Sequence, residues 1–300
     1  MTAGASDERI HCVELRTAGE DVPIVQELLG ALDLSSSSWR NMESGVSFLW
    51  VFADDEASAG TLCKRISAAL LDWDSLLSGP ATASTAALRH EDWAECWKRH
   101  FHTFRASRRL VVKPSWEAYK LQSSEDIVLE LDPGMSFGTG YHGTTRACLQ
   151  FLDELVDQIP DASFLEAGCG SGILSLAASK LGCKPVFAFD HDEQAVLCAK
   201  ENLEAARVAG VNLATADVGA YAPGRRFRIV AANILAHVLE ANAEAIFSFL
   251  ERDSFPSHLI LAGILTEQYG QVKDCYEPLG LREIDRQTID EWTSGLYVTE

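Results

Sequence analysis

Residues 166–172 read Glu166-Ala167-Gly168-Cys169-Gly170-Ser171-Gly172, and this stretch decides the fold. It follows Ser163–Ala167, a short apolar run with the character of a strand, and it opens an apolar helix from about Ser171 to Leu181. Glycines at such a junction permit a tight turn with positive φ and let a ligand lie against the backbone. The helix start beyond them adds unpaired N–H groups and the positive end of a dipole. Strand, glycine loop and helix in this order are the opening unit of a nucleotide-type α/β fold, although the loop alone is generic to that fold.

Working outward, the same alternation continues downstream. Pro185–Asp190 (PVFAFD) reads as a strand and Glu193–Ala206 as a helix. Asn212–Ala216, Phe227–Ala231 and His258–Ala262 are further strands, with one helix over Leu235–Leu250 between the last two. Gln268–Pro278 has helical spacing, and Leu281–Val298 can fold back as a terminal hairpin. Strands alternating with helices in this way predict a parallel, doubly wound sheet within a domain over 127–300. Upstream, residues 1–78 predict a small α+β module of the ferredoxin-like kind. Its signals are alternation at Ile10–Arg16, helical spacing at Val22–Asp33, a loop at Ser35–Ser38, a β-rich run at Gly45–Ala53 and helical spacing again at Ala57–Trp73. Residues 79–126 are expected to connect the two. Gly79–Ala87 (GPATASTAA) has a linker's composition, Glu91–His102 carries a packing stripe of Trp93, Trp97 and Phe101, and Arg108–Trp116 reads as a strand ended by Pro114.

The spacing of the glycine loop bears on its ligand. A dinucleotide fingerprint is G-x-G-x-x-G, whereas this loop is G-x-G-x-G with Ile173 where the third fingerprint glycine would stand. Without a pyrophosphate to cradle, the loop can pass close to the methionine part of S-adenosyl-L-methionine (AdoMet). Asp190, ending the next strand, stands where an acid would accept ribose hydroxyls, or would cap the helix that follows. A second loop, Asp132–Thr145 (DPGMSFGTGYHGTT), leads into an apolar helix at Arg146–Val156 and can close over the same ligand, or serve as that helix's cap. A third segment, Ala231-Ala232-Asn233-Ile234-Leu235, lies at the carboxyl end of the fourth strand, where ligands of doubly wound sheets sit. The Asn233 amide can hold an incoming amine by accepting one of its N–H bonds, or cap the following helix.

Taken together, DPGMSFGTGYHGTT, EAGCGSGILSLAA, FAFDHDEQA, AANILA and LAGIL, in this order, resemble the PrmA-type ribosomal-protein methyltransferases. The resemblance extends upstream through EDWAECWKRHFHTFRASRRLVVKPSW and loosely into the N-terminal module. It implies a class I methyltransferase with a Rossmann-like, mostly parallel seven-stranded sheet behind a ferredoxin-like substrate-recognition domain. It implies AdoMet as methyl donor and, as protein substrate, amines of the large-subunit ribosomal protein L-eleven (L11), which that family trimethylates. Carried over by position, it implies AdoMet contacts from Thr145, Gly168, Gly170, Asp190 and Asn233. Phe137, Gly138, Thr139 and Gly140 would form the covering loop, and Asn233 would position the nucleophile. Glu166 stands where the family usually has Asp, and Tyr141 where a small residue is usual.

Bulk composition narrows the alternatives. A chain of 300 residues, 47% hydrophobic, can bury two cores. Its net charge of -19 opposes phosphate backbones and suits a basic protein partner. A nucleic-acid base methyltransferase would carry Asn/Asp-Pro-Pro-aromatic where this chain has Asn233-Ile234-Leu235-Ala236. A non-catalytic AdoMet-binding scaffold would be expected to show damage at the glycine loop or Asp190, and both are intact. A lysine of another protein, or a small-molecule amine, remains the alternative substrate. The eight cysteines form no C-x-x-C pair or zinc spacing, so no metal site is expected. With no apolar leader or membrane-length run, a cytoplasmic location is expected. His142 is the one tempting general base, and a loop residue without catalytic role is the competing reading.

Overall fold

The computed structural model describes residues 9–32, 34, 36–40, 46–89, 101–132, 140–252 and 255–299. They divide into two compact units, Met1–Phe101 and His102–Glu300.

In the first unit the order is β1 (Arg9–Ala18), α1 (Val22–Gly30), β2 (Ser37–Arg40), β3 (Val46–Ala53), α2 (Glu56–Trp73) and β4 (Thr82–Arg89). The sheet order is β2-β3-β1-β4 with every pairing antiparallel, the split βαββαβ arrangement of a ferredoxin-like fold. Its interior joins Val13, Leu15, Leu49 and Val51 from the strands to Val25, Leu29, Ile66 and Leu70 from the helices. Asp55 starts α2 by accepting from the Ser58 N–H at 2.7 Å, which holds its carboxyl below the ordinary range.

Two expectations are corrected here. Gly79–Ala87 is not a linker: Thr82–Arg89 is the strand β4, paired with β1 along its whole length. Ser35–Ser38 is not wholly a loop, since β2 begins at Ser37 and pairs with β3. In both, small polar side chains mask a backbone that fills a sheet edge. The stripe over Glu91–His102 falls mostly outside the described residues.

The second unit opens with a three-stranded sheet, β5 (Phe104–Arg105), β6 (Leu110–Lys113) and β7 (Ile127–Glu130), followed by α3 (Gly143–Gln158). There follow β8 (Phe164–Ala167), α4 (Ile173–Lys180), β9 (Val186–Asp190), α5 (Glu193–Ala205), β10 (Val211–Thr215), β11 (Ile229–Asn233), α6 (Ala236–Ala241), α7 (Ala243–Ser248), β12 (His258–Leu265), α8 (Tyr269–Tyr276), β13 (Leu281–Ile289) and β14 (Trp292–Thr299). The sheet order is β10-β9-β8-β11-β12-β14-β13, parallel except for β14, which runs antiparallel to both neighbours. This is the mostly parallel seven-stranded sheet that the resemblance implied. The helix expected over Leu235–Leu250 is two helices, broken at Asn242, whose Nδ2 donates to the Val238 carbonyl at 2.9 Å.

Strand order reverses between β8 and β11, so their carboxyl ends flank the crevice where ligands of such sheets bind. α3 is anchored behind that crevice by Asp153, which accepts from Arg109 Nε at 2.5 Å, the Arg109 N–H at 3.0 Å and Ser107 Oγ at 2.6 Å.

Candidate functional site

The site starts from the glycine loop after β8. The N–H groups of Gly168 and Cys169 both donate to the Phe189 carbonyl, at 2.9 and 3.0 Å, which bends the loop over the end of β9. Gly168 has φ +75°, and a β-carbon there would lie 2.2 Å from Ile234 Cγ2. Glycine is therefore required twice over, by conformation and by space. From the other side Gly263, on β12 with φ +83°, leaves room for the Ile234 carbonyl, which a β-carbon would meet at 2.4 Å. Ile234 is wedged between these two glycines, and its predecessor Asn233 is thereby fixed at the tip of β11.

Thr145, Glu166, Gly168, Gly170, Ile173 and Asn233 line one hollow at the switch point. Asn233 Nδ2 donates to Thr145 Oγ1 at 3.3 Å, while Asn233 Oδ1 is buried with no hydrogen-bond partner among the described residues. Asp190 joins through the loop: its Oδ2 accepts from the Gly170 N–H at 2.9 Å and its Oδ1 from the Asp192 N–H at 3.1 Å. Capping of α5 belongs to Asp192, whose carboxylate accepts from the Gln194 N–H at 2.9 Å, so Asp190 is not the cap. Asp190 Oδ2 keeps a further lone pair, which a ligand hydroxyl can use, while Oδ1 also has His191 Nδ1 at 3.2 Å. Gly140 lies against the same wall, where a β-carbon would sit 3.0 Å from Ile173 Cδ1. Phe137, Gly138 and Thr139 lie outside the described residues.

Glu166 is the site's electrostatic peculiarity. Burial pushes its carboxyl up to about 8, and Asp190 adds to the effect. Hydrogen bonds to its Oε2 from Ser175, N–H at 2.9 Å and Oγ at 2.5 Å, work in the opposite direction. Glu166 thus holds its proton near neutral pH and spares the hollow a second negative charge beside Asp190.

Two features carry no signal in the sequence. His142 packs edge-on against Trp292, with ring centroids 4.8 Å apart, and its Nδ1 lies 2.8 Å from Thr144 Oγ1. Burial pushes its imidazole down to about 4, against the pull of Asp290. At pH 7 it is neutral and weakly basic, which is a packing role rather than that of a base poised near neutrality. The tip of the β13–β14 hairpin also reaches this helix start, since a β-carbon at Gly143 would lie 2.9 Å from Ile289 Cγ2.

The arrangement offers backbone amides and a carboxylate for a nucleoside, and beside them an amide oxygen that accepts from nothing among the described residues. It contains no cluster of His, Cys, Asp or Glu able to hold a metal among the described residues, and the described cysteines are free thiols. No helix among them is long and apolar enough to cross a membrane.

The family described as Ribosomal protein L11 methyltransferase (PrmA) matches residues 34–298. A ribosomal protein L11 methyltransferase of Staphylococcus aureus (strain bovine RF122 / ET3-1) is 36% identical over 231 residues, which are 77% of this chain and 72% of that one. Its counterpart in strain USA300 / TCH1516 aligns with the same identity and coverage. A solved structure of ribosomal protein L11 methylase from Lactobacillus delbrueckii subsp. bulgaricus is 26% identical, with a TM-score of 0.61, and the match covers 67% of this chain and 100% of that one. Sheet order, switch-point site and sequence agree, and the chain belongs to the ribosomal protein L11 methyltransferase (PrmA) family.

Proposed function

We propose that this chain transfers methyl groups from AdoMet to lysine and α-amino groups of ribosomal protein L11 in the cytoplasm, with the N-terminal unit recognising the substrate. The observation that carries the reading is Asn233 Oδ1, a buried oxygen with no hydrogen-bond partner among the described residues, on a side chain that lines the hollow beside the glycine loop. A buried acceptor left unused is costly. An amine N–H is the complement it lacks.

The residues present fit AdoMet. Backbone at Gly168 and Gly170 would face its methionine part, the Asp190 carboxylate its ribose hydroxyls, and Thr145 would hold the Asn233 amide in place. When bound, AdoMet supplies an activated methyl on a good leaving group, so the chain needs chiefly to align and desolvate. Alignment alone supplies on the order of 7–11 kcal/mol in favourable cases. A free lysine, with a pKa near ~10.4, is neutral in only about one molecule per thousand at pH 7.4. The apolar walls at Ile173 and Leu174 disfavour the ammonium, and Asn233 Oδ1 favours an amine whose lone pair points away from it. The net charge of -19 would draw a basic ribosomal protein to the enzyme.

The test supplies methyl-labelled AdoMet with unmodified L11, and in parallel with lysate from a strain lacking this gene. Label on L11, with mass shifts in multiples of a methyl group, is expected. Label confined to another protein or to a small amine would reject the substrate. AdoMet binding with no label anywhere would favour a scaffold.

A further inference from the structure

Among the described residues, Asn233 Oδ1 is the one buried side-chain oxygen lining the hollow that has no hydrogen-bond partner, and a lysine that is methylated repeatedly runs out of N–H bonds to give it. A neutral primary amine has two N–H bonds, a methylamine one and a dimethylamine none. Of the other oxygens at the site, Glu166 Oε2 is taken by Ser175, and Asp190, bonded to the loop backbone, is the acceptor assigned to the ribose. The carbonyls of Ala231 and Ala232, which could also have served an amine, lie in a strand paired on both sides, with β8 and β12. Among the described residues Asn233 Oδ1 is therefore the acceptor left for the amine, held in place by its own Nδ2 bond to the fully buried Thr145.

We infer that Asn233 assists the first and second methyl transfers to one amine and is silent in the third. This rests on the proposed amine-methyltransferase reading. In every transfer the nitrogen lone pair forms the N–CH3 bond as the S–CH3 bond breaks, and the sulfur keeps the bonding pair. One proton per transfer passes to solvent as the starting ammonium becomes the neutral amine. While the N–CH3 bond forms, the nitrogen becomes positive and any remaining N–H becomes a stronger donor. The bond to Oδ1 thus tightens in the transition state, which is the condition for accelerating a step. A dimethylamine offers Oδ1 only a methyl C–H, a far weaker donor. The third transfer must depend on packing and alignment alone. Asn233 then sets the relative rates along the series, not merely the overall rate.

The experiment compares wild type, Asn233→Ala and Asn233→Asp on two forms of L11. One is unmodified, and the other has its amines dimethylated beforehand with formaldehyde and a hydride reductant. Mass spectrometry resolves the methylation states, and AdoMet affinity is measured by calorimetry. Asn233→Ala should lower kcat roughly 10- to 100-fold on unmodified L11, the loss expected for a hydrogen bond to a developing charge. On dimethylated L11 it should change kcat by less than about 3-fold, with AdoMet affinity altered equally little on this scale. Asn233→Asp, which keeps an acceptor, should recover part of the first-transfer rate. An equal loss on both forms would overturn the inference while leaving the enzyme an amine methyltransferase, as would failure of wild type to methylate the dimethylated form. Failure of wild type on both forms, with AdoMet bound, would remove the functional reading and this inference with it.

Discussion

The two units bury their sheets differently. In the second, β8 is buried at every residue from Phe164 to Ala167 and β11 from Ile229 to Ala232, as befits parallel strands covered by helices on both faces. In the first, β1 places Val13, Leu15 and Thr17 on the inner face and Glu14 and Arg16 on the other, where Cys12 joins Trp50 in a second small apolar cluster, and β4 shows exposed or half-exposed residues from Thr82 to Ala87. The parallel sheet gathers its loops at one switch point, so a change in its interior reaches Gly168, Asp190 and Asn233 together. The antiparallel sheet converges on no such point. Its core should matter for stability and for holding a partner, and little for the nucleoside site.

A matched glycine pair gives the largest contrast. Gly168→Ala places a methyl 2.2 Å from Ile234 Cγ2 at φ +75° and should cut methyl transfer by more than about 100-fold, because it displaces both the loop and Asn233. Gly60→Ala, on α2 with nothing within 4 Å, should leave turnover unchanged and raise stability by roughly 0.5–1 kcal/mol. Rates and melting curves for the two variants check this, and similar activity losses would break the comparison.

Core truncations probe it next. Phe189→Ala removes a fully buried ring stacked on Tyr221 at 4.1 Å, and it should cost about 3–5 kcal/mol and weaken AdoMet binding measurably. Leu49→Ala in β3 should cost about 2–5 kcal/mol and depress transfer to L11 while calorimetry finds AdoMet affinity nearly intact. Collapse of AdoMet binding in Leu49→Ala would show that the units do not act separately. Asp153→Ala removes one of the two carboxylates paired with the largely buried Arg109, leaving Asp157 at 2.9 Å from Nη1, and should cost roughly 1–3 kcal/mol, read by denaturant unfolding. Although burial opposes ionisation of Asp153, bonds from Ser107 and Arg109 hold its carboxyl below the ordinary range. Its stabilisation is therefore present above the unfolded value and lost as pH falls through the folded one.

The same contrast decides what was legible in the sequence. Runs such as PVFAFD and SFLEA announce strands because both faces are apolar. SSWR and TASTAALR do not, because β2 and β4 are edge strands whose small polar side chains resemble loop. At the candidate site, the glycine loop, Asp190 and Asn233 could be placed through their order along a strand–helix alternation, whereas Thr145 entered only through the resemblance to the family. Ile234 between two glycines and Trp292 against His142 were not, since each pairing joins segments distant in sequence. Nor did the sequence show that Asn233 would keep one buried oxygen unpaired, because that depends on where its amide nitrogen finds Thr145.

The smallest effect is a pH dependence with two opposed parts inside the second unit. His142 has its value lowered from 6.5 to about 4, so unfolding takes up a proton between those values, and this contribution to stability is lost as pH falls from about 6.5 towards 4. Glu166 has its value raised from 4.5 to about 8, so unfolding releases a proton, and its contribution is lost as pH rises from about 4.5 towards 8. Between pH 4.5 and 6.5 the two slopes oppose each other, and above 6.5 only that of Glu166 remains. Relative to wild type, His142→Asn should therefore gain stability as pH falls below 6.5, and Glu166→Gln should gain it as pH rises from 4.5 to 8. Subtracting the wild-type curve removes the background of carboxylates common to all three proteins. Two difference curves of the same sign would mean that one of these groups is ionised in the folded chain, and Glu166, with its two Ser175 hydrogen bonds, would be that group.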